Sequence, residues 1–264
     1  MKILIVNDDG ARCEGLHSLI RALKDEHEIT VVVPEVEQSG KSHSMTYFDP
    51  LYYFKIHIFE VDYDAYVVKG TPGDCVLMAL DQICDGKPDL LLSGINRGYN
   101  TGNTIVYSGT VSAAYEGANR GIPSISISTG FVDVNFDDAA NIFKQMLPYF
   151  AKEKDIFFYN VNIPNCKPAE IKGIKKTFID SVVPEECMEK RIDPFDRDYY
   201  WHSYTVHNIK EYVFDEGSDV DVVEKKYISV TPLKYDFLDR DKLKTMDNII
   251  DGFSGALGEI KALK

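Results

Sequence analysis

The sequence has few cysteines, no excess of basic residues and no long apolar run. Its five cysteines are odd in number and form no C-x-x-C pair, so neither a disulfide framework nor a zinc site is indicated. The 29 Lys and Arg residues against 42 Asp and Glu residues give a formal net charge of −13, which no basic block offsets. This charge argues against long nucleic acids and anionic membranes as partners.

Apolar runs are short throughout the chain. No stretch approaches the ~20 apolar residues of a membrane span, and the run before Asn7 is too short for the core of a signal peptide. Together with the scattered cysteines, these features predict a cytoplasmic protein that does not bind membranes. Its 264 residues suffice for one large α/β domain and for an enzyme.

Apolar, β-branched runs alternate with helical patterns over the first part of the chain. The spacing of apolar residues from Leu16 to Leu23 predicts one helix, and Thr71 followed by Pro72 predicts the start of another. The predicted buried strands are residues 3–6, 28–34, 89–93, 123–128 and 156–163, with a hairpin over 51–68 and a helix over 137–151. This alternation predicts the α/β class, with a Rossmann-like, mostly parallel sheet and helices on both faces.

From about Lys167 the alternation stops. A short strand at 227–231, a polar aromatic stretch at 193–204 and a helix at 239–251 no longer follow the strand-helix rhythm. We therefore predict a single α/β domain over 1–264, with a core at 1–166 and a C-terminal subdomain at 167–264. The subdomain would form an arm of short strands and a helix.

Two adjacent carboxylates, Asp8 and Asp9, follow the first predicted strand directly, and Gly10 allows a sharp turn after them. Ligands bind outside the carboxyl ends of strands in open parallel sheets, so the pair lies at the edge where chemistry is usually done. Adjacent anions repel each other unless a cation lies between them. A site for Mg²⁺ or Mn²⁺ is one interpretation; the alternative is that Asp9 caps the following helix.

A second loop, Gln38 to Ser44, follows the next predicted strand. Its Gly-Lys-Ser run resembles the end of a P-loop, but the first glycine of that motif would fall at Glu35, so the match fails. A small hydroxyl-rich loop remains, either a source of ligands or an ordinary polar turn. His43 in this loop is not by itself evidence for a catalytic base.

The third loop, Gly94 to Thr110, is rich in glycine and asparagine and leads into a helix of small residues. Ser108, Gly109 and Thr110 would collect two hydroxyls and several backbone N–H groups at the start of this helix, which is an anion site. Gly109 would let a phosphate approach the backbone. Capping and phosphate binding use the same groups, so the sequence leaves both interpretations open. Hard oxygen ligands from the three loops, with this helix start, suggest metal-assisted phosphoryl chemistry.

Several motifs in order resemble the SurE (survival protein E) family of nucleoside monophosphate phosphatases. The resemblance covers nearly the whole chain, and the motifs are Asn7-Asp8-Asp9-Gly10, Ser39-Gly40, Gly70-Thr71-Pro72-Gly73-Asp74, Ser93-Gly94-Ile95-Asn96, Tyr107-Ser108-Gly109-Thr110-Val111, Gly121-Ile122-Pro123-Ser124, Asn160-Val161-Asn162-Ile163-Pro164 and Tyr227-Ile228-Ser229-Val230-Thr231-Pro232-Leu233.

The resemblance implies one divalent cation per subunit, Mg²⁺ or Mn²⁺, held by Asp8, Asp9, Ser39 and Asn96. It also implies a nucleotidase that hydrolyses nucleoside 5′-monophosphates, and a dimer or tetramer that exchanges C-terminal elements between subunits. Joining residues and resemblance, we expect catalytic roles for Asp8 and Asp9. We also expect the phosphate to be bound by Asn96, Ser108, Gly109 and Thr110, and 3′-monophosphates to be further substrates.

Two other functions fit part of the sequence. A phosphoacceptor signalling module also places an acidic pair after its first strand, and Asp49 lies at a plausible distance to be phosphorylated. Such modules are much shorter than this chain and do not need the loop from Gly94 to Thr110. A non-catalytic nucleotide-binding protein would bind a monophosphate and leave it intact.

Overall fold

The computed structural model describes residues 1–153, 155–181, 186–204, 213–234, 239–247 and 249–250. The chain divides into two compact units, Met1–Leu233 and Lys234–Lys264. In chain order the elements are β1 (Lys2–Val6), α1 (Glu14–Leu23), β2 (Glu28–Pro34), β3 (Tyr53–Ile58), β4 (Tyr63–Val68), α2 (Pro72–Met78), β5 (Leu90–Arg97), α3 (Gly109–Asn119), β6 (Ser124–Thr129), α4 (Phe136–Phe150), β7 (Phe158–Asn162), β8 (Ile174–Lys176), β9 (Glu186–Ile192), β10 (Asp198–Tyr204), α5 (Asp219–Glu224), β11 (Ile228–Pro232) and α6 (Arg240–Lys244).

Within the described residues, nine strands form one sheet in the order β3-β4-β2-β1-β5-β6-β7-β11-β8. The strands from β4 to β7 are all parallel to their neighbours, whereas β3 pairs antiparallel with β4 and β11 pairs antiparallel with β7. The α/β class and the mostly parallel sheet are confirmed. The chain crosses from one side of β1 to the other, so the carboxyl ends of β1 and β5 lie at the topological switch point, where such sheets bind ligands.

Alternate residues of β1 face the two layers of helices. Ile3 and Ile5 belong to the buried cluster that includes α1 and α4, and Leu4 and Val6 belong to the cluster that includes α2 and α3. This alternation explains why the strand has no polar face: both sides of a doubly wound sheet are covered.

Helix α3 packs closely on the sheet because it carries small residues. A Cβ placed on Gly117 would lie 2.5 Å from Ser124 Oγ and 2.6 Å from Leu91 Cδ1. The close packing fixes the position of the helix and of its first residues, Gly109 and Thr110, at the carboxyl edge of the sheet.

The part of the chain after Lys167 supplies two strands to the same sheet. Strand β11 pairs with β7 through residues 229–232 and with β8 through residues 228–230. The exchange of C-terminal elements between subunits stays a prediction, and within this chain β11 completes the sheet. A buried Ile228 and strands on both sides leave it no free edge. The division into 1–166 and 167–264 stays a prediction.

A separate hairpin, β9 with β10, has Ile192 opposite Asp198 and Trp201 opposite Glu189. It carries exposed apolar side chains, among them Met188, Tyr200 and Trp201. The predicted C-terminal helix is present in part: α6 ends at Lys244, residues 247 and 249–250 are again helical, and most of the positions after Lys244 lie outside the described residues. No helix in the described part of the chain is long and apolar enough to cross a membrane.

Candidate functional site

The turn after β1 is fixed by its first and last residues. Asn7 Oδ1 accepts a hydrogen bond from the backbone N–H of Gly10 at 3.1 Å, and Asn7 Nδ2 donates to the carbonyl oxygen of Gly10 at 2.9 Å. Gly10 has φ +84, and a Cβ there would lie 3.1 Å from the carbonyl oxygen of Pro34. Glycine is therefore required, and Asp8 and Asp9 project from a turn with little freedom.

The capping interpretation of Asp9 is wrong. Helix α1 begins at Glu14 with Cys13 as its N-cap residue, and no side chain caps it. The Asp9 side chain therefore does not cap helix α1.

The two carboxyl groups differ in burial, and both have a pKa above the ordinary value for Asp. Asp8 is buried, and burial raises its pKa against the lowering effect of a hydrogen bond from Thr110. Burial, and then the neighbouring charges of Asp8 and Glu37, raise the pKa of Asp9 to about 7, while Arg97 lowers it. The charged form of this pair is unfavourable unless a positive charge compensates it.

The donor chemistry fits a hard cation. Carboxylate, hydroxyl and amide oxygens are the ligands that Mg²⁺ and similar ions take. In the described part of the chain no three His, Cys, Asp or Glu side chains are grouped as a metal site. A cation beside Asp8 and Asp9 would therefore need further oxygens from a hydroxyl, an amide, a substrate or water.

The loop that carries Ser39 is held against the turn of β1. The backbone N–H of Gln38 donates to the carbonyl oxygen of Asp8 at 2.7 Å, which places the residue before Ser39 beside the acidic pair. Ser39 is exposed, and its hydroxyl donates to Glu37 Oε1 at 2.9 Å. Glu37, whose charge acts on Asp8 and Asp9, is a residue that sequence reasoning missed because a lone Glu in a polar loop carries no signal.

Asn96 lies in a strand rather than in a loop. Strand β5 continues to Arg97, with a shift in its pairing with β6 between Ser93 and Asn96. Val6 of β1 is opposite Ser93 of β5, so Asn96 lies at the same edge of the sheet as Asp8. Its amide nitrogen donates to the carbonyl oxygen of Gly98 at 2.9 Å.

The first residues of α3 contact Asp8 directly. Thr110 Oγ1 donates to Asp8 Oδ1 at 2.5 Å, and a Cβ placed on Gly109 would lie 2.7 Å from both Cβ and Oδ2 of Asp8. The structure therefore brings together Asp8, from the turn after β1, and the helix start that the sequence singled out. Only a glycine fits at position 109 with this approach.

Ser108 is the N-cap residue of α3. Its hydroxyl oxygen accepts from the backbone N–H of Val111 at 3.0 Å. The capping interpretation is thus confirmed, and it leaves the hydroxyl proton of Ser108 available to donate. Capping and anion binding by this residue are compatible.

A second network joins the Ser39 loop to the far end of α3. His43 Nε2 lies 2.9 Å from Glu116 Oε2, and Arg120 Nε donates to Glu116 Oε1 at 2.7 Å. The buried carboxyl of Glu116 has a pKa below its ordinary value, because the hydrogen bonds from His43 and Arg120 outweigh the opposing effect of burial. The i, i+4 spacing of Glu116 and Arg120 was the only sequence signal for this network.

Polar side chains at the ends of two neighbouring strands hold the asparagine-rich loop. The carbonyl oxygen of Asn100 accepts from the amide nitrogens of Asn160 at 2.7 Å and Asn162 at 2.9 Å, and Asn100 Nδ2 donates to Ser128 Oγ at 2.8 Å. These buried amides and hydroxyls have partners, as buried polar groups require. They fix the loop between β5 and α3 over the carboxyl edge of the sheet.

The sequence and the fold were compared with those of known proteins, and both are similar to members of one family. Residues 3–183 match the family model described as survival protein SurE. The chain is 42% identical over 250 residues to "5′-nucleotidase SurE" of Thermosipho melanesiensis, covering 94% of this chain and 96% of that protein. It is 40% identical over 255 residues to "5′-nucleotidase SurE" of Fervidobacterium nodosum, with 94% and 97% covered. The crystal structure of the SurE protein from Aquifex aeolicus superimposes with a TM-score of 0.81 at 37% identity, covering 94% of this chain and 99% of that one.

Proposed function

The chain belongs to the SurE family, and from that membership we propose that the carboxyl ends of β1 and β5, together with the start of α3, form its active site. The protein is a metal-dependent phosphomonoesterase, a 5′-nucleotidase that hydrolyses nucleoside 5′-monophosphates to nucleoside and phosphate. The observation that carries the assignment of the site is the approach of α3 to the acidic turn, where Thr110 bonds Asp8 and Gly109 has no room for a side chain.

We propose that one divalent cation per subunit, Mg²⁺ or Mn²⁺, is held by Asp8, Asp9, Ser39 and Asn96. The raised pKa values of the two carboxyls support this, because a cation would offset the burial and the neighbouring negative charges that raise them. When bound, such a cation supplies charge neutralisation at the phosphoryl oxygens and a lowered pKa for a bound water. Asp8 and Asp9 are the catalytic residues in this assignment because their charges hold and orient these groups.

The phosphate would be bound by Asn96, Ser108, Gly109 and Thr110. The start of α3 offers backbone N–H groups and the positive end of the helix dipole to an anion. The hydroxyl of Ser108 can donate to a phosphate oxygen while its own oxygen accepts from Val111. The missing side chain of Gly109 lets Asp8 lie directly against the start of this helix.

A panel of phosphomonoesters tests the function. Purified protein with Mg²⁺ or Mn²⁺ should release phosphate from nucleoside 5′-monophosphates, and excess chelator should abolish the release until metal is restored. Nucleoside 3′-monophosphates in the same panel test the wider substrate range. Tight binding of a monophosphate without release of phosphate would favour a nucleotide-binding protein, and a stable acyl phosphate on Asp49 would favour a signalling module.

Asp9 makes the stability of the metal-free protein depend on pH. Below its ordinary pKa of 3.8, Asp9 is protonated in both the folded and the unfolded chain, and no difference arises. Between 3.8 and about 7 the folded chain binds the proton more strongly, so this group lowers the free energy of unfolding progressively as pH rises, and fully above about 7. We expect Asp9→Asn to raise the Tm in chelator more at pH 8 than at pH 5.

In the wild type, the stabilisation by metal should increase with pH, whereas the contribution of Asp9 to the stability of the metal-free protein falls with pH. Protons compete with a cation for Asp8 and Asp9, so the rise in Tm caused by Mn²⁺ should be larger at pH 8 than at pH 5. Asp49→Asn, at an exposed carboxylate elsewhere, is the matched control and should behave as the wild type. Equal metal-induced shifts at both pH values would contradict the metal assignment.

We propose that the protein forms a homodimer or homotetramer that exchanges residues after Leu233. The exposed Tyr200 and Trp201 of the β9–β10 hairpin support an interface, since aromatic residues are enriched at interface cores. A cut after Lys225 would remove β11 from the sheet and unfold the subunit, so it cannot test the exchange. A cut after Leu233 follows the boundary between the two compact units and keeps the sheet intact.

Truncation after Leu233 should give monomeric protein with little activity, measured by sedimentation and phosphate release. Trp201→Ser in the full chain is the companion variant and should weaken association without loss of the fold. A truncated monomer with full activity would overturn the exchange of this segment.

We propose that the protein acts in the cytoplasm. Cys13, Cys75, Cys84 and Cys166 are free thiols in the structure, which is typical of a reducing compartment.

A further inference from the structure

The 3₁₀ turn Gly102–Tyr107, which leads directly into Ser108, is held at both ends by residues distant in sequence. At its end, Ser42 donates through its hydroxyl to the carbonyl oxygen of Val106 at 2.6 Å and through its backbone N–H to that of Tyr107 at 3.0 Å. At its start, the backbone N–H of Gly102 donates to Asp219 Oδ2 at 3.0 Å. The position of the turn therefore depends on the part of the chain after β10.

Asp219 is a fully buried carboxyl at the first position of α5. Besides Gly102, the backbone N–H groups of Asp180 and Val220 donate to its Oδ1, each at 3.0 Å. Burial raises the pKa of Asp219, and these three hydrogen bonds oppose the rise. A buried carboxyl is costly unless donors surround it, and three backbone N–H groups do so here.

A second contact ties the same end of the turn to the same region. Asn103 Nδ2 donates to the carbonyl oxygen of Ser181 at 2.9 Å, one residue after Asp180. Two successive residues of the turn, Gly102 and Asn103, are thus bound by groups that converge from residues 180–181 and 219.

We propose that Asp219 is a positioning residue for phosphate binding. By holding Gly102 it sets where the turn ends, and so where Ser108 and Gly109 stand relative to Asp8. The proposal rests on the function proposed above, since it takes Ser108 and Gly109 as the phosphate site. Hydrogen bonds to a buried carboxylate are strong and directional, and small misplacements of binding groups have large kinetic effects.

The test compares Asp219→Asn with a matched control in the full-length protein. Asparagine keeps the size of the side chain but turns one accepting atom into a donor, which faces a backbone N–H. Thr177→Val is the control: Thr177 is buried in the same region and bonds Thr231 at 2.7 Å, away from the turn. For each variant we would measure kcat and KM for a nucleoside 5′-monophosphate, Ki for inorganic phosphate, Tm, and the Mn²⁺-induced rise in Tm.

Asp219→Asn should raise KM and the Ki of phosphate about tenfold, the effect of losing one hydrogen bond to a charged group, with the Mn²⁺-induced shift unchanged. Thr177→Val should lower Tm and leave KM and Ki at the wild-type values. An Asp219→Asn variant that loses stability like the control, with wild-type KM and Ki, would show that Asp219 is structural only and overturn the proposal.

Two further variants keep the result decisive. If Asp219→Asn does not fold, Asn103→Ala replaces it, because that side chain is exposed: KM should rise about two- to fivefold, and an unchanged KM would overturn the proposal. Ser108→Ala tests the phosphate site itself. An unchanged KM in Ser108→Ala would reject the site assignment, whereas a raised KM there with an unchanged KM in Asp219→Asn would reject the positioning role alone.

Discussion

Asp9→Asn should lower kcat/KM at limiting metal by about 10²-fold or more, the scale on which removal of one electrostatic stabiliser acts. Hard cations bind mainly through carboxylate charge, and half of the charge of the acidic pair is lost. The variant should fold, and its Tm in chelator should exceed that of the wild type because a largely buried charge beside Asp8 is removed. Phosphate release against metal concentration, with thermal melts in chelator, measures both effects.

The combination of lower activity and higher stability separates this role from a structural one. Replacing a carboxyl that has only a structural role would lower the stability and the activity of the protein together. Asp49→Asn should leave both unchanged, and it also removes the residue that a phosphoacceptor module would use. Near-normal turnover of Asp9→Asn at low metal concentration would show that Asp9 is not a ligand.

Gly109→Ala should lower kcat/KM by about 10²-fold, although it adds only one methyl group. The added Cβ would lie 2.7 Å from Asp8 Cβ and Oδ2, so either Asp8 or the start of α3 must move. Either movement disturbs both the cation and the phosphate in the proposed site. The free energy of unfolding should also fall by about 1–3 kcal/mol, as overpacking of a close contact does.

Gly117→Ala is the matched control for this effect. It lies on the same helix and is equally crowded, with a Cβ 2.5 Å from Ser124 Oγ, but its neighbours are in the core and not at the site. It should lose comparable stability and keep the wild-type KM. Equal kinetic losses in the two variants would mean that Gly109 acts through general packing of α3.

The parallel core was predictable because its signals are local. Buried β-branched runs such as Glu28–Pro34 and a helix start such as Thr71-Pro72 each specify their own conformation, and alternation then fixes the class of sheet. The same rule gave the edge at which Asp8 and Ser108 would lie. What the sequence left open at Ser108, capping or anion binding, is open because both use the same atoms.

The remaining features depend on contacts that no local pattern records. The sequence gives no sign that β11 enters the sheet between β7 and β8, since a short β-branched run fits many edges equally well. Asp219 contacts Gly102 across 117 positions, and before folding it is one Asp among many in an acidic chain. Glu37 was missed for the same reason, because its effect on Asp9 arises only when two loops meet.

The place of β11 in the sheet also sets an order for synthesis. During translation the strands up to β7 leave the ribosome first, and β7 has an open edge until residues 228–232 emerge and pair with it. An open, largely buried strand edge invites pairing with other chains, so prematurely terminated nascent chains that end before residue 228 should aggregate rather than persist as folded fragments. The last seventh or so of the message thus decides whether the part before it stays soluble.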